Sequence, residues 1–211
     1  MLTFKDCTLS QLDETFHLTP LQRMAVLESW LTEESEILEA ERNYMLTLQA
    51  YLQDNVINWN EQELAMHFIG PMFTLVQFSY QHRFNLFAER SLSGTVEGVE
   101  MGGKPDGMIA TGYREPKKPY FCLQEYKREQ DPNGDPAGQA LAAMLVAQEI
   151  NKHKFPIYGC YIRGRHWHFM TLQGKEYCLS DSYVATRSHI FDIFRILKTL
   201  KQIIIRQVDS E

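Results

Sequence analysis

Two carboxylates and one lysine occur in an order that suits chemistry on a phosphate ester. Asp106 follows Pro105, and eighteen residues separate it from the run Glu125-Tyr126-Lys127. Alternate residues of a β-strand point to the same face, so Glu125 and Lys127 share a face while Tyr126 points to the other. A hairpin connection between two such strands would bring Asp106 beside Glu125.

Adjacent carboxylates of this kind are typical ligands of a hard divalent cation such as Mg²⁺ or Mn²⁺. A cation held there polarises a phosphodiester and lowers the pKa of a bound water molecule. The ammonium group of Lys127 would orient that water and offset the charge that develops on the phosphate. The three side chains therefore predict a metal-dependent phosphodiesterase with Mg²⁺ or Mn²⁺ as its cofactor.

The segments around these residues are typical of antiparallel hairpins. Six of the twelve glycines lie between residues 91 and 112, which indicates tight turns and bulges. Patterns of period two predict four strands, over residues 104–113, 119–127, 155–163 and 166–172.

Helices are predicted on either side of these strands. Asp135-Pro136 is typical of a helix start, and the residues that follow it are good helix formers. The segment 188–208 has apolar residues at helical spacing, with Arg195, Lys198 and Lys201 predicted on its outward face.

The first sixty residues also have helical patterns. Thr19-Pro20 is typical of a cap followed by a proline in the first turn, and Thr32 precedes an acid-rich helix that continues to about Val56. Together these segments predict an antiparallel helical pair. Asn60 is typical of a further cap, and Pro71 predicts a bend or a break in the helix that follows.

This order of elements predicts the α/β class. We expect a mixed central sheet flanked by helices, in a domain over residues 59–211 that follows an N-terminal helical extension over residues 1–58.

The residues of the acidic motif resemble those of a known superfamily. Pro105-Asp106 and Glu125-Tyr126-Lys127 are an intact match to the PD-(D/E)xK motif of the restriction-endonuclease-like nucleases. The core of that superfamily runs helix, three antiparallel strands, helix and strand, and the same order is predicted here from about Asn60 to Met170. The resemblance covers about 110 of the 211 residues. It implies a restriction-endonuclease-like core and metal-dependent hydrolysis of nucleic acid, with DNA favoured.

The resemblance also implies a role for each residue of the motif. Asp106 and Glu125 would bind the metal together with the backbone carbonyl of Tyr126, and Lys127 would be the catalytic lysine.

Two accessory residues follow from the same resemblance. The superfamily often has a glutamate ten residues before a proline on the helix that precedes the sheet, which selects Glu61 and Pro71, with Glu63 as the alternative. Gln139 matches a glutamine of the RecB-like branch, although Ala143 stands where that branch has a tyrosine.

Charge is distributed unevenly along the chain. The 21 Lys and Arg residues against 27 Asp and Glu residues give a formal charge of −6, which excludes a protein that coats nucleic acid through excess positive charge. Residues 1–99 carry 5 basic and 14 acidic side chains (−9), whereas residues 100–211 carry 16 and 13 (+3). Basic residues near the motif form either a rim that tracks phosphates or an ordinary solvated face; they are Lys104, Lys117, Lys118 and Arg128.

A second interpretation of the same fold is a catalytically inactive module that binds nucleic acid or a protein partner. The acidic N-terminal helices are either a solvated face or a surface that docks a protein partner or a second copy of the chain to form a homodimer.

Four scattered cysteines with no CxxC pair predict buried thiols rather than disulfides. The sequence shows no secretory leader pattern and no run that approaches the roughly 18 apolar residues of a membrane helix. These features predict a cytoplasmic protein that does not enter a membrane.

Overall fold

Alternating apolar residues form strands that assemble into a mixed sheet with helices on both faces. The computed structural model describes residues 1–131 and 133–210. In this part of the chain, nine strands belong to one large sheet and three to a smaller one. The strands are β1 (Leu2–Thr3), β2 (Thr19–Leu21), β3 (Ser79–Tyr80), β4 (Phe84–Ala88), β5 (Leu92–Val96), β6 (Val99–Gly103), β7 (Gly107–Thr111), β8 (Lys117–Lys127), β9 (Ile157–Arg163), β10 (His166–Gln173), β11 (Glu176–Leu179) and β12 (Tyr183–Val184). The helices are α1 (Leu9–Phe16), α2 (Ala25–Thr32), α3 (Glu39–Asn55), α4 (Glu61–Leu64), α5 (Gly70–Val76), α6 (Pro136–Ile150) and α7 (His189–Asp209), with a π-helical turn (Ala65–Ile69) between α4 and α5.

Strand β8 lies in the interior of the large sheet. The strand order is β2-β11-β10-β9-β8-β7-β4-β3, with β12 beside β10. Strand β7 runs antiparallel to β8, whereas β9 runs parallel to it. The predicted α/β class, with a mixed sheet flanked by helices, is therefore confirmed.

Helix α6 lies between the two sheets. It contacts β8 and β9 of the large sheet and β5 of the small one. Thirteen of its fifteen residues are buried, which explains why apolar residues occupy all sides of this helix rather than one stripe.

Helices α2, α3, α5 and α7 lie over the opposite face of the large sheet. The buried Trp30 of α2 donates its indole N–H to the carbonyl oxygen of Ile196 at 2.9 Å. Its ring meets Tyr158 and Phe169 edge-on, with centroid distances of 5.1 and 5.2 Å. Trp30 thus joins α7 to the sheet through one side chain.

The predicted outward direction of three cations on α7 is wrong. Arg195 donates to the carbonyl oxygens of Leu31 and Glu33 at 2.9 and 2.8 Å. Lys198 and Lys201 also donate to carbonyl oxygens of neighbouring segments, at 2.6 and 3.0 Å. The last carbonyl groups of a helix have no partner within that helix, and Arg195 supplies donors where α2 ends.

The predicted N-terminal helical pair is wrong in its boundaries and contacts. Thr19 and Pro20 begin strand β2, which pairs with β11, and α2 begins only at Ala25. Helix α3 begins at Glu39 rather than directly after Thr32, and both α2 and α3 contact α7. Strand β2 is the edge of the sheet, where a proline is tolerated because one side of the strand needs no backbone donor.

The start of the chain is attached to α6. Asp135 accepts hydrogen bonds from the backbone N–H groups of Gly138 at 3.1 Å and Leu9 at 2.8 Å, so one carboxylate caps α6 as predicted and also holds α1. A Cβ atom on Gly138 would lie 2.6 Å from the Cα atom of Thr8. The close approach of the two helix starts therefore requires glycine at this position.

Pro71 does not interrupt the helix that Asn60 caps. The N–H of Gly70 donates to the carbonyl oxygen of Ala65, five residues earlier, which is the bonding of a π-helical turn. The π-helical turn thus adds one residue to the helical turn directly before Pro71. In an α-helix, the proline ring and the missing N–H of Pro71 would disturb the hydrogen bonding at this point.

The four cysteines are buried and free, as predicted. Burial raises the pKa of Cys122 to about 12, which keeps this thiol protonated. Within residues 1–131 and 133–210, no helix is both long and apolar enough to cross a membrane.

Replacing Gly138 with alanine is expected to lower the free energy of unfolding by about 1–3 kcal/mol. In an ordinary helix interior the same change is stabilising by about 1 kcal/mol, but here the added methyl group would meet the backbone of Thr8. Chemical denaturation measures the difference. A variant as stable as the wild type would show that the start of α1 moves away without cost.

Candidate active site

The turn into β7 holds Asp106 against β8. Gly107 pairs with Gln124 in antiparallel register, which places the preceding residue, Asp106, opposite Glu125. The backbone N–H of Tyr126 donates to Asp106 Oδ2 at 2.6 Å. The two carboxylates therefore lie together at the ends of neighbouring strands.

Lys127 lies among these acids with only 13% of its side chain exposed. Its Nζ atom is 2.8 Å from Glu125 Oε1 and 3.5 Å from Glu61 Oε1. Burial alone would lower the pKa of Lys127. The hydrogen bond to Glu125 and the charge of that residue raise it by a larger amount, so the pKa lies above its usual value. The side chain is an ammonium ion at neutral pH.

The two central carboxylates are hard to ionise. Burial raises the pKa of Asp106 to about 6, although the Tyr126 N–H and the charge of Lys127 oppose that rise. Burial raises the pKa of Glu125 to about 7, and the neighbouring charge of Asp106 adds to the effect. Bringing these groups together without a further cation therefore costs stability at neutral pH.

Helix α4 brings Glu61 rather than Glu63 to this cluster. Glu63 accepts from the backbone N–H of Asn60 at 2.9 Å, while Asn60 Oδ1 accepts from the Glu63 N–H at 2.9 Å. This capping box uses the Glu63 carboxylate to close the helix start. Glu61, two residues earlier, is left to face Lys127.

The donor set fits Mg²⁺ or Mn²⁺. Asp106 Oδ1 and Glu125 Oε2 accept no hydrogen bond from the described residues. In residues 1–131 and 133–210, no three His, Cys, Asp or Glu side chains are arranged to hold a metal ion. Mg²⁺ commonly binds through one or two carboxylates and keeps several water molecules, so two carboxylates suffice for it.

Two clefts of unlike chemistry meet at Glu61. The apolar cleft, of about 520 Å³, lies between the α4–α5 helix and β4, and Ile69, Phe73 and Asp106 line it. The polar cleft, of about 600 Å³, lies beside α6 and is lined by charged side chains of both signs, Lys127 among them. The acidic cluster therefore stands between an apolar surface and a polar one.

The predicted cationic rim is divided by the fold. Arg128 is exposed and lines the polar cleft beside Lys127. Lys104 lines a separate surface groove. Lys117 and Lys118 lie at the start of β8, about 30 Å from Lys127 at the usual rise of a strand. A rim around the carboxylates cannot include these two lysines.

Gln139 lies in the first turns of α6, is buried, and lines the polar cleft with Lys127. Three further lining residues have no signal in the local sequence. Lys5 and Thr8 line the polar cleft from the start of the chain, and Glu89 lines the apolar cleft. The long-range attachment of the chain start to α6 brings Lys5 and Thr8 there, and the end of β4 brings Glu89.

Behind the acidic cluster, a second polar group supports β8. The Tyr126 hydroxyl donates to Gln124 Oε1. A Cβ atom on Gly107 would lie 2.4 Å from that oxygen and 2.8 Å from the hydroxyl. A larger residue next to Asp106 would therefore displace these two buried side chains of the neighbouring strand.

No protein-family model matches this chain, and a search of curated proteins finds no significant match.

The raised carboxyl pKa values predict that the metal-free protein becomes more stable as the pH falls from about 7.5 to about 5.5. The folded protein holds these protons more tightly than the unfolded chain, in which the values are 3.8 and 4.5. The resulting stabilisation is complete below about pH 4 and is lost as the pH rises through about 6 to 7.

Asp106→Asn isolates this effect, since the amide can still accept from the Tyr126 N–H. We expect the variant to be more stable than the wild type at about pH 7.5 in EDTA, with a weaker pH dependence. Asp54→Asn, on the exposed face of α3, is the control that removes one charge elsewhere. Equal pH dependence in the wild type and Asp106→Asn, measured by chemical denaturation, would contradict the prediction.

Proposed function

We propose that this protein is a metal-dependent nuclease with a restriction-endonuclease-like core, and that it hydrolyses phosphodiester bonds, with DNA favoured as the substrate. The observation that carries the proposal is the convergence of Glu61 and Glu125 on the ammonium group of Lys127, with Asp106 held beside Glu125 by the Tyr126 N–H. Carboxylates with raised pKa values beside a lysine are typical of functional sites, and carboxylates are usual protein ligands of a divalent metal ion that also binds phosphate.

Asp106 and Glu125 would hold Mg²⁺ or Mn²⁺, with the carbonyl of Tyr126 as the further ligand that the motif implies. When bound, the cation lowers the pKa of a water molecule and polarises the phosphate. The Tyr126 N–H fixes the orientation of the Asp106 carboxylate, so this ligand is positioned before the cation arrives.

Lys127 would act on the phosphate rather than on the metal. Its ammonium group remains charged, and it lines the polar cleft with Gln139 and Arg128. A fixed cation at this position offsets the negative charge that develops on the phosphate oxygens during attack by water. Glu61 holds the ammonium group from the helix side.

Purified protein should cleave DNA in the presence of Mg²⁺ or Mn²⁺ and not in EDTA. Lys127→Met and Asp106→Asn should each lower the rate at least about 100-fold, because one removes the fixed cation and the other a metal ligand. Lys117→Met, at the far end of β8, is the matched lysine control and should retain full activity. Product formation on gels measures all four proteins.

Equal cleavage by the wild type and by Lys127→Met would assign the activity to a contaminant. Binding of DNA without cleavage under either cation would instead support the catalytically inactive module.

Mg²⁺ at millimolar concentration should raise the melting temperature of the wild type, because a cation that binds only the folded state stabilises it. Asp106→Asn should lose this increase, whereas Asp54→Asn should keep it. An equal increase in all three proteins, measured by differential scanning fluorimetry, would mean that the cation binds elsewhere.

A further inference from the structure

Among the described residues, no lysine or arginine lines the apolar cleft. Its charged lining residues are Glu61, Glu89 and Asp106, all acids. The polar cleft, on the other side of Glu61, contains Lys5, Lys127 and Arg128 together with the acids Glu61, Asp6, Asp131 and Asp135. The lysine and arginine side chains that phosphates of a nucleic-acid strand could contact at this site therefore lie on the polar side.

The walls of the apolar cleft suit a flat, neutral group. Phe73 and Phe87 contribute aromatic rings, and Ile69 and Leu86 contribute branched aliphatic side chains. Ala88, the last residue of β4, is exposed and lines the same cleft, so its methyl group leaves room at the opening. Small-molecule sites are typically concave and mostly apolar, with volumes of about 300–1,000 Å³.

A buried amide lies behind the apolar cleft. Gln124 is fully buried, and its Oε1 atom accepts from the Tyr126 hydroxyl. The amide lies against Gly107, which lines the cleft together with Tyr126. These two residues, rather than Gln124 itself, therefore face a ligand in the cleft.

We propose that the apolar cleft accepts one unstacked nucleobase beside the phosphodiester, so that the substrate is an unpaired strand rather than continuous duplex. The inference rests on the proposed nuclease function and names its substrate class. A base inside a duplex is stacked and paired and must be extruded before it can enter such a cleft, whereas an unpaired base enters without that cost. The base recovers stacking on Phe73 or Phe87.

The test measures binding by fluorescence anisotropy with three labelled probes in Ca²⁺ buffer. The first is a single-stranded DNA 12-mer, the second has the same phosphates but abasic sugars throughout, and the third is the duplex. The wild type should bind the first at least about tenfold more tightly than either of the others, the advantage expected from stacking one base.

Ala88→Phe should fill the opening of the cleft and reduce binding of the single strand to the level of the abasic probe. Ala50→Phe, on the exposed face of α3, is the matched control and should bind as the wild type does. If Ala88→Phe does not fold, the comparison of the single-stranded and abasic probes with the wild type still shows whether binding depends on a base.

Equal binding of the single-stranded and abasic probes, or wild-type binding by a folded Ala88→Phe, would overturn the nucleobase site. Cleavage of the same probes in Mg²⁺, followed on gels, separates the two proposals. Cleavage without base-dependent binding would retain the nuclease and reject the nucleobase site. Base-dependent binding without cleavage would retain the nucleobase site and reject the proposed nuclease function. The absence of binding to any probe would reject both proposals.

Discussion

The ammonium group of Lys127 is the charge on which the arrangement of the site depends. Strand β8 carries Glu125 and Lys127 into the interior of the large sheet, where an isolated charge is expensive. The Glu125–Lys127 ion pair makes this burial tolerable, and Glu61 and Asp106 then approach the same cation from a helix and a neighbouring strand. With three acids grouped around one lysine in a largely buried site, burial and the charge of the neighbouring acids raise the pKa values of Asp106 and Glu125.

The other elements hold this cluster in place. Helix α6 is buried between the two sheets and supports β8 from behind. Asp135 caps α6 and also binds the N–H of Leu9, so the start of the chain becomes a wall of the polar cleft. On the opposite side, the π-helical turn before Pro71 keeps the α4–α5 helix continuous, and that helix contributes Glu61 and the wall of the apolar cleft.

The folded protein brings part of the acidic N-terminal half of the chain into contact with cations of the basic C-terminal half. The acidic segment over residues 31–41 is joined to the basic half of the chain, because Arg195 and Lys198 of α7 bind its carbonyl and carboxylate groups. The cations of the basic C-terminal half are thereby divided between structural contacts and the polar cleft. The formal charge of −6 is thus compatible with the proposed phosphate site.

The sequence by itself determined the features that depend on short-range rules. Strand alternation put Glu125 and Lys127 on one face, and Asn60 and Asp135 begin helices because their side chains cap nearby N–H groups. Only the tertiary structure decided that residues 19–21 form a strand, that Lys117 and Lys118 lie far from the carboxylates, and that two unlike clefts meet at Glu61. These outcomes depend on which sheet edge accepts a strand and how far one strand extends, and neither is encoded in residues that are neighbours in the chain.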